Sequence, residues 1–325
     1  MYFSPPPTNW LGRYTESLVW LASYPRSGNT FTRLLLANYF SDAEKDFDIN
    51  ALYDFIPPDT SHVLWEEFTQ GRPVDSDFTG IWALRPQFIE FYRRRAKLGD
   101  FAGLKTHTAN LTVNGMASFN FRPSDRIIYI VRHPLDVLLS YSDYNGRDLE
   151  SAMEIMCRSG VCVSQDFIGG LELRGSWPEH VSSWIDAPPC PLLLIRYEEL
   201  LQSTAETLRA ILAFLGAPII ERRLERAAEA SRFDRLREQE AARSFRETPP
   251  SARSGRFFRE GRSLQWLREL SPAVAYRLAD HCEQVMERVG YTHPRDVLYG
   301  GRNAYKPMEI FSREVRRRAS GIVRP

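Results

Sequence analysis

The stretch LVWLASYPRSGNTFTRLLLANYF, Leu18 to Phe40, runs from one apolar segment through a Pro-Arg-Ser-Gly turn into a second apolar segment. The first segment reads as a buried strand and the second as a helix. Between them, Pro25 stiffens the turn, Gly28 lets the backbone approach a ligand closely, and Asn29 or Thr30 can begin the helix. Free N–H groups and a positive dipole end at that helix start favour a phosphate. Arg26 adds a planar, permanently charged fork. The spacing is not the Gly-x-x-x-x-Gly-Lys-Ser/Thr of a nucleoside-triphosphate loop. Taken alone, the turn fits a phosphate cradle and a simply capped helix start equally.

Three further runs share the continuous apolar character: FAGLKT (Phe101 to Thr106), RIIYIVR (Arg126 to Arg132) and PLLLIRY (Pro191 to Tyr197). Continuous rather than alternating hydrophobicity predicts parallel strands covered on both faces. Helical patterns follow the first, third and fourth runs: TFTRLLLANYF, HPLDVLLSYSDY with Pro134 suited to the first helical position, and TAETLRAILAFLGAP stopped by Gly216 and Pro218. The expectation is an α/β fold in a single domain over residues 1–325, with a central parallel sheet flanked by helices. The motif-bearing core spans 18–270. An aromatic and acidic insertion, 41–100, lies on the acceptor side, and 271–325 form a C-terminal helix and basic tail, the tail read as a solvated helix or frayed end.

Ligands of open parallel sheets bind beyond the carboxyl ends of the strands. Those ends carry Arg26 in the first turn, then Lys105 and His107, Arg132, and Tyr197. The set reads as an anion site with a potential base in it. A magnesium-nucleotide enzyme usually ends a strand in Asp, and none stands here, which predicts anion chemistry without a metal. His107 differs from His62, His133, His180, His281 and His293, read as structural, because it follows a buried strand beside Lys105. A neutral imidazole there can take a proton from a hydroxyl or amine. Arg132 and Ser140 frame a helix start and fit either a second phosphate or a helix cap.

Together these residues resemble the cytosolic-type sulfotransferases, which use 3′-phosphoadenosine 5′-phosphosulfate as donor. The family's Tyr-Pro-Lys-Ser-Gly-Thr-Thr-Trp loop is similar to YPRSGNTF, Tyr24 to Phe31. The resemblance implies that Arg26, Ser27, Gly28, Asn29 and Thr30 hold the 5′-phosphosulfate and that Phe31 stacks near adenine. It makes His107 of the Lys105-Thr106-His107 segment the catalytic base, with Arg26 and Lys105 stabilising charge on the transferring group. It assigns Arg132 and Ser140 to the 3′-phosphate and Tyr197 to the adenine. GSWPEHVSSW (Gly175 to Trp184) looks like a further family segment. SRFDRL gives Ser231 and Phe233, and FFREGRSLQW gives Arg259, Gly261 and Trp266. These segments follow in the family's order from residue 18 to residue 270.

Three departures bear on donor binding: Arg26 replaces a lysine, Phe31 a tryptophan, and Glu260 a lysine beside the 3′-phosphate. The last predicts weaker nucleotide binding unless Arg256 or Arg262 compensates. A magnesium-dependent P-loop kinase and a non-catalytic nucleotide-binding module are the rival readings.

The formal charge of +1 gives no global case for nucleic acid or membrane binding. No apolar run approaches the ~20 residues of a membrane span. The start MYFSPPPTNW lacks a secretory signal pattern, so the expectation is a cytoplasmic protein. The four cysteines form no CxxC pair and read as free thiols. The acceptor is a small molecule, lipid or glycan, and homo-oligomerisation is left open. Trp65, Phe68, Trp82, Phe88, Phe91 and Tyr92 either line an apolar acceptor pocket or pack a helical subdomain over the sheet.

Overall fold

All four apolar runs form strands, and they meet in one sheet. The computed structural model describes residues 17–41, 45–72, 78–96, 102–164 and 170–305; the basic tail lies outside them. The strands are β1 (Val19–Ser23), β2 (Gly103–Thr106), β3 (Thr112–Val113), β4 (Met116–Ala117), β5 (Arg126–Val131), β6 (Cys162–Ser164), β7 (Leu171–Leu173) and β8 (Leu192–Arg196). The main sheet has the order β2-β1-β5-β8 and is parallel throughout. The pairs β3–β4 and β6–β7 are separate antiparallel ribbons.

The sheet explains the unbroken hydrophobicity of its strands. Trp20, Ala22, Tyr129 and Val131 face one core, while Leu21, Ile128, Ile130 and Ile195 face the other. Successive side chains point to opposite faces, so a strand covered on both sides needs apolar residues at every position. The chain leaves β1 toward β2 on one side and later returns to β5 on the other. The topological switch point therefore lies at the carboxyl end of β1, where the Tyr24–Gly28 turn begins.

Helix Asn29–Phe40 follows β1 and starts at Gly28. Helix Pro134–Tyr144 follows β5, with Pro134 in its first turn and the His133 side chain accepting from the Leu135 amide. Helix Thr204–Leu215 ends at Gly216, whose φ of 69° is left-handed. The sequence places Tyr197 at the end of the fourth strand. It is instead the first residue of helix Tyr197–Gln202, because Arg196 already has the extended conformation of a helix N-cap.

The aromatic insertion packs as core. Trp65 stacks on Phe88 with ring centres 4.4 Å apart. Trp65, Trp82, Phe88 and Tyr92 are buried, with Phe68 and Phe91 packed against them. A short segment ahead of these helices extends the sheet edge: the Lys105 amide donates to Pro57, and the Asp59 amide donates to the Lys105 carbonyl. Asp59 then accepts from Thr106 Oγ1 and from Arg85, and all three side chains are buried. This pins residues 57–59 beside β2 and sets the direction of the chain that follows.

Candidate active site

The carboxyl ends of β1, β2, β5 and β8 open into a cavity of about 550 Å³. The turn after β1 forms one wall. Gly28 has φ 103°, and a Cβ there would sit 2.5 Å from a ring carbon of Tyr197, so the position needs both glycine's backbone freedom and its missing side chain. Arg26 is also left-handed, with φ 67°. That conformation is unfavourable for a side-chain-bearing residue and aims the guanidinium into the cavity wall. Asn29 anchors the helix start through its Nδ2, which donates to Leu21 O at 2.9 Å. The first backbone bond inside the helix runs from Thr32 to Gly28, so the amides ahead of it are free for a ligand.

Arg26 is held on every side. Its Nε donates to Ser140 Oγ at 3.0 Å and its Nη2 to the Phe257 carbonyl at 3.2 Å. The rings of Tyr144 and Phe257 lie 4.4 and 4.5 Å from its guanidinium carbon. Burial, with nearby Arg132 acting in the same direction, pushes its pKa down to about 10, and it stays charged at neutral pH. Arg132 donates to the carbonyls of Arg26 (3.1 Å) and Arg262 (3.3 Å) and sits over the Tyr197 ring. Its Nε is buried and has no hydrogen-bond partner among the described residues, as is true of the Ser27 hydroxyl.

His107 stands at the end of β2 with Nδ1 2.7 Å from the Ser23 carbonyl. A carbonyl only accepts, so Nδ1 carries the hydrogen and Nε2 keeps its lone pair. A second layer fixes the backbone here: Tyr129 O–H donates to His180 Nδ1, and His180 Nε2–H donates to the His107 carbonyl. Burial, reinforced by Lys105, holds the His107 pKa well below the usual imidazole value. Burial also lowers Lys105.

Of the residues singled out from the sequence, the structure brings Arg26, Gly28, Asn29, Thr30, Phe31, Lys105, His107, Arg132, Ser140, Tyr197, Phe233, Arg259 and Gly261 to the cavity lining. Gly261 matters by close approach, since a Cβ there would meet the Phe233 ring at 2.3 Å. Ser27 lies buried within the turn. Ser231 is not part of the lining: its Oγ accepts from Asn38 beneath the helix Asn29–Phe40. Trp266 is buried against His133. Glu260 does line the cavity, whereas Arg256 and Arg262, the expected compensating cations, do not; Arg246 and Arg259 stand there instead.

Several lining residues carried no signal in the sequence. Glu172 accepts from Arg174 at 2.8 Å through Nε and lies 3.9 Å from Lys105. Burial works to raise its pKa, but Arg174 and then Lys105 hold it well below the usual carboxylate range. Glu247 accepts from Thr30 Oγ1 at 2.8 Å and Arg33 at 2.6 Å. Burial opposes its ionisation too, and Arg33 and Lys105 overcome it. Tyr53, Thr60, Ser61 and His62 flank the segment pinned beside β2. The one available hint was Arg33, a single cation in an apolar helix, which demands a buried partner.

The sulfotransferase domain model matches residues 16–290. Sulfotransferase 2A2 of Rattus norvegicus is 26% identical over 210 residues, covering 64% of this chain and 72% of the rat protein. Among solved structures, retinol dehydratase in complex with androsterone and inactive cofactor PAP superposes with a TM-score of 0.55 at 18% identity, covering 86% of this chain and 83% of its own. A mouse sulfotransferase complexed with PAP gives 0.51 at 19% identity, covering 87% and 90%. With a family model spanning most of its length and the strand-end cations and imidazole gathered around one cavity, this chain belongs to the sulfotransferase family.

Proposed function

We propose that the protein moves a sulfuryl group from 3′-phosphoadenosine 5′-phosphosulfate to a hydroxyl or amine, with His107 as general base and no metal. The whole chain acts as one catalytic domain in a cytoplasmic setting. The observation that carries this reading is His107, a neutral imidazole whose Nδ1 is committed to Ser23 and whose Nε2 is left for a proton, at the lining of a cation-walled cavity.

The residues present fit the donor nucleotide. The Gly28 turn admits no side chain, the amides at the helix start are unbonded within the helix, and the Ser27 hydroxyl and Arg132 Nε are buried without partners among the described residues. Ser27 to Thr30 would hold the 5′ end, with Arg26 and Lys105 supplying positive charge. Arg132 would hold the 3′-phosphate. Ser140 accepts from Arg26, which leaves its own O–H to donate to an anion. Phe31, Tyr197 and Phe233 offer ring faces for the base. The donor supplies a sulfuryl group on a phosphate leaving group. As the acceptor oxygen bonds to sulfur, the bridging S–O bond breaks toward the phosphate and the acceptor proton passes to His107 Nε2. Lys105 and Arg26, held in place before reaction, stabilise the charge that develops.

The reading that no metal is needed has its own support. Of the three carboxylates at the cavity, Glu172 is engaged by Arg174 and Lys105 and Glu247 by Arg33 and Thr30, which leaves Glu260 and, among the described residues, no cluster of acidic ligands there.

The test is acceptor-dependent turnover of radiolabelled donor, paired with calorimetric titration of 3′-phosphoadenosine 5′-phosphate. His107→Ala is expected to lose roughly 10²–10⁴ in rate and to keep its affinity for the product nucleotide. A variant within a few-fold of wild type rejects His107 as the base; binding of the nucleotide without turnover in the wild type favours a non-catalytic module.

A further inference from the structure

We propose that the acceptor is a neutral, polyhydroxylated, sugar-like molecule, recognised by Glu172, Arg174 and Glu247 beside His107. The inference rests on the sulfuryl-transfer reading above and names the substrate class of that same site.

The cavity lining mixes rings with polar groups. Phe31 comes from the helix after the donor turn, Phe233 from the start of helix Phe233–Arg243, and Phe257 and Phe258 from the chain beyond it. The polar side chains Thr60, Ser61, Glu172, Arg174 and Glu247 line the same cavity as His107. Lys105, two positions before His107, lies 3.9 Å from Glu172, and the Leu173 carbonyl accepts the amide of Ala109, two positions after it, which places the ion pair beside the segment that carries the proposed base. The aromatic side chains able to build an apolar acceptor wall, Trp65, Trp82 and Phe88, are instead buried in the core.

The ion pairs have hydrogen-bonding capacity left over. Glu172 accepts both Arg174 bonds on Oε2, while among the described residues its Oε1 meets only Lys105, at 3.9 Å. Arg174 Nη1 reaches Tyr141 at 3.5 Å, a marginal contact. Glu247 has one partner on each oxygen, and a carboxylate oxygen accepts two. An apolar acceptor resting here would strip water from these groups and return no hydrogen bonds, which is unfavourable. A polyol replaces that water bond for bond, its hydroxyls donating to the carboxylates and accepting from the guanidinium. Because Glu172, Arg174 and Glu247 already have ionic partners, these three groups ask for hydroxyls and not for a counter-ion. Tyr53, 39% exposed at the lining, offers a ring face to the C–H face of a sugar.

The experiment has three arms on the purified full chain. Calorimetry with 3′-phosphoadenosine 5′-phosphate first establishes the donor site. Initial rates with labelled donor are then compared for lactose and methyl glucoside against 2-naphthol and androsterone. Finally the rates are repeated in Glu172→Leu/Arg174→Met, a double change that removes both charges together and leaves neither one buried alone. The expected results are nucleotide binding, kcat/KM for a sugar at least about tenfold above the apolar acceptors, and a fall in that ratio in the double variant. Nucleotide binding by the double variant shows that it is folded; if it does not fold, Glu172→Gln and equilibrium dialysis of lactose onto the nucleotide-loaded wild type take its place. Preference for 2-naphthol or androsterone, an unchanged ratio in the variant, or no lactose binding at millimolar concentration overturns the acceptor class and leaves sulfuryl transfer standing. Failure to bind the nucleotide instead removes the donor reading, and this inference with it.

Discussion

The guanidinium carbon of Arg132 sits 4.4 Å from the centre of the Tyr197 ring, so the residue that follows β5 lies upon the residue that follows β8. The same ring also meets the donor turn, since a Cβ on Gly28 would strike one of its carbons at 2.5 Å. Turn, ring and cation therefore meet at the ends of three parallel strands.

Arg132→Ala is expected to weaken binding of 3′-phosphoadenosine 5′-phosphate ten- to a hundredfold, from the loss of roughly 1.5–3 kcal/mol in charge-assisted hydrogen bonds. Adenosine 5′-phosphate lacks the 3′-phosphate and should lose far less. Calorimetry on both ligands with both proteins closes the cycle. Equal losses would mean that Arg132 only supports the Arg26 and Arg262 carbonyls and the Tyr197 ring.

Gly28→Ala tests the same contact from the turn. At φ 103° an alanine is strained whatever the space around it, at a cost on the order of 1 kcal/mol or more. The clash with Tyr197 adds to this. The expected outcome is a lower Tm and weaker nucleotide binding, with Tyr197→Ala in the same chain recovering part of the Tm and none of the binding. A variant as stable and as tight as wild type would show that the turn tolerates a side chain.

The pH profile follows from His107. Burial holds its folded pKa below the ordinary value, so it takes up a proton only at more acid pH and remains a competent base through neutrality. kcat/KM should be level on the acid side down through pH ~6.5, the unperturbed imidazole value, and fall only beneath it. An acid limb centred at or above that value would contradict the environment described here.

Arg93→Ala is expected to be destabilising by about 3–5 kcal/mol, because it strands a buried charge. Asp125 takes two bonds from Arg93, at 2.7 and 3.0 Å, and also accepts the amides of Leu18 and Arg122. It thereby ties the start of β1 to the helix Phe78–Ala96. Urea denaturation checks the figure, and a loss under about 1 kcal/mol would place the pair with surface ion pairs instead.

Excess chelator should leave initial rates unchanged at saturating donor, since Glu172 and Glu247 are spoken for by arginines and Lys105. Activity lost to chelator and restored by magnesium would favour the kinase-like reading.

Much of this was legible in the chain because it is local. Each parallel strand announces itself by an unbroken apolar run, and Pro134 and Gly216 mark a helix start and stop in sequence as they do in space. Strand ends were less well defined: Tyr197 looks like strand by hydrophobicity, yet the acidic pair behind it, Glu198 and Glu199, begins a helix. Glu172, Glu247 and Arg33 could not be brought together from sequence, since their pairing depends on contacts such as Arg33 to Glu247 across 214 positions. The edge segment Pro57–Asp59 was silent for a different reason. It joins the sheet through backbone bonds to Lys105, and backbone bonds leave no side-chain pattern to read.

Glu172 lies on β7 and Arg174 just past it, and β7 pairs with β6 rather than with the main sheet. Between them, Leu173 accepts the Ala109 amide at 2.7 Å, fastening this ribbon to the loop that begins at His107. Two of the groups proposed to choose the acceptor, Glu172 and Arg174, thus ride on a piece of chain apart from the strands that carry the donor turn, whereas the third, Glu247, is tied to Thr30 just after that turn. In evolutionary terms the ribbon is the separable part: a lineage can rewrite positions 172 to 174 and shift its acceptor while keeping Glu247 and the nucleotide cradle it touches.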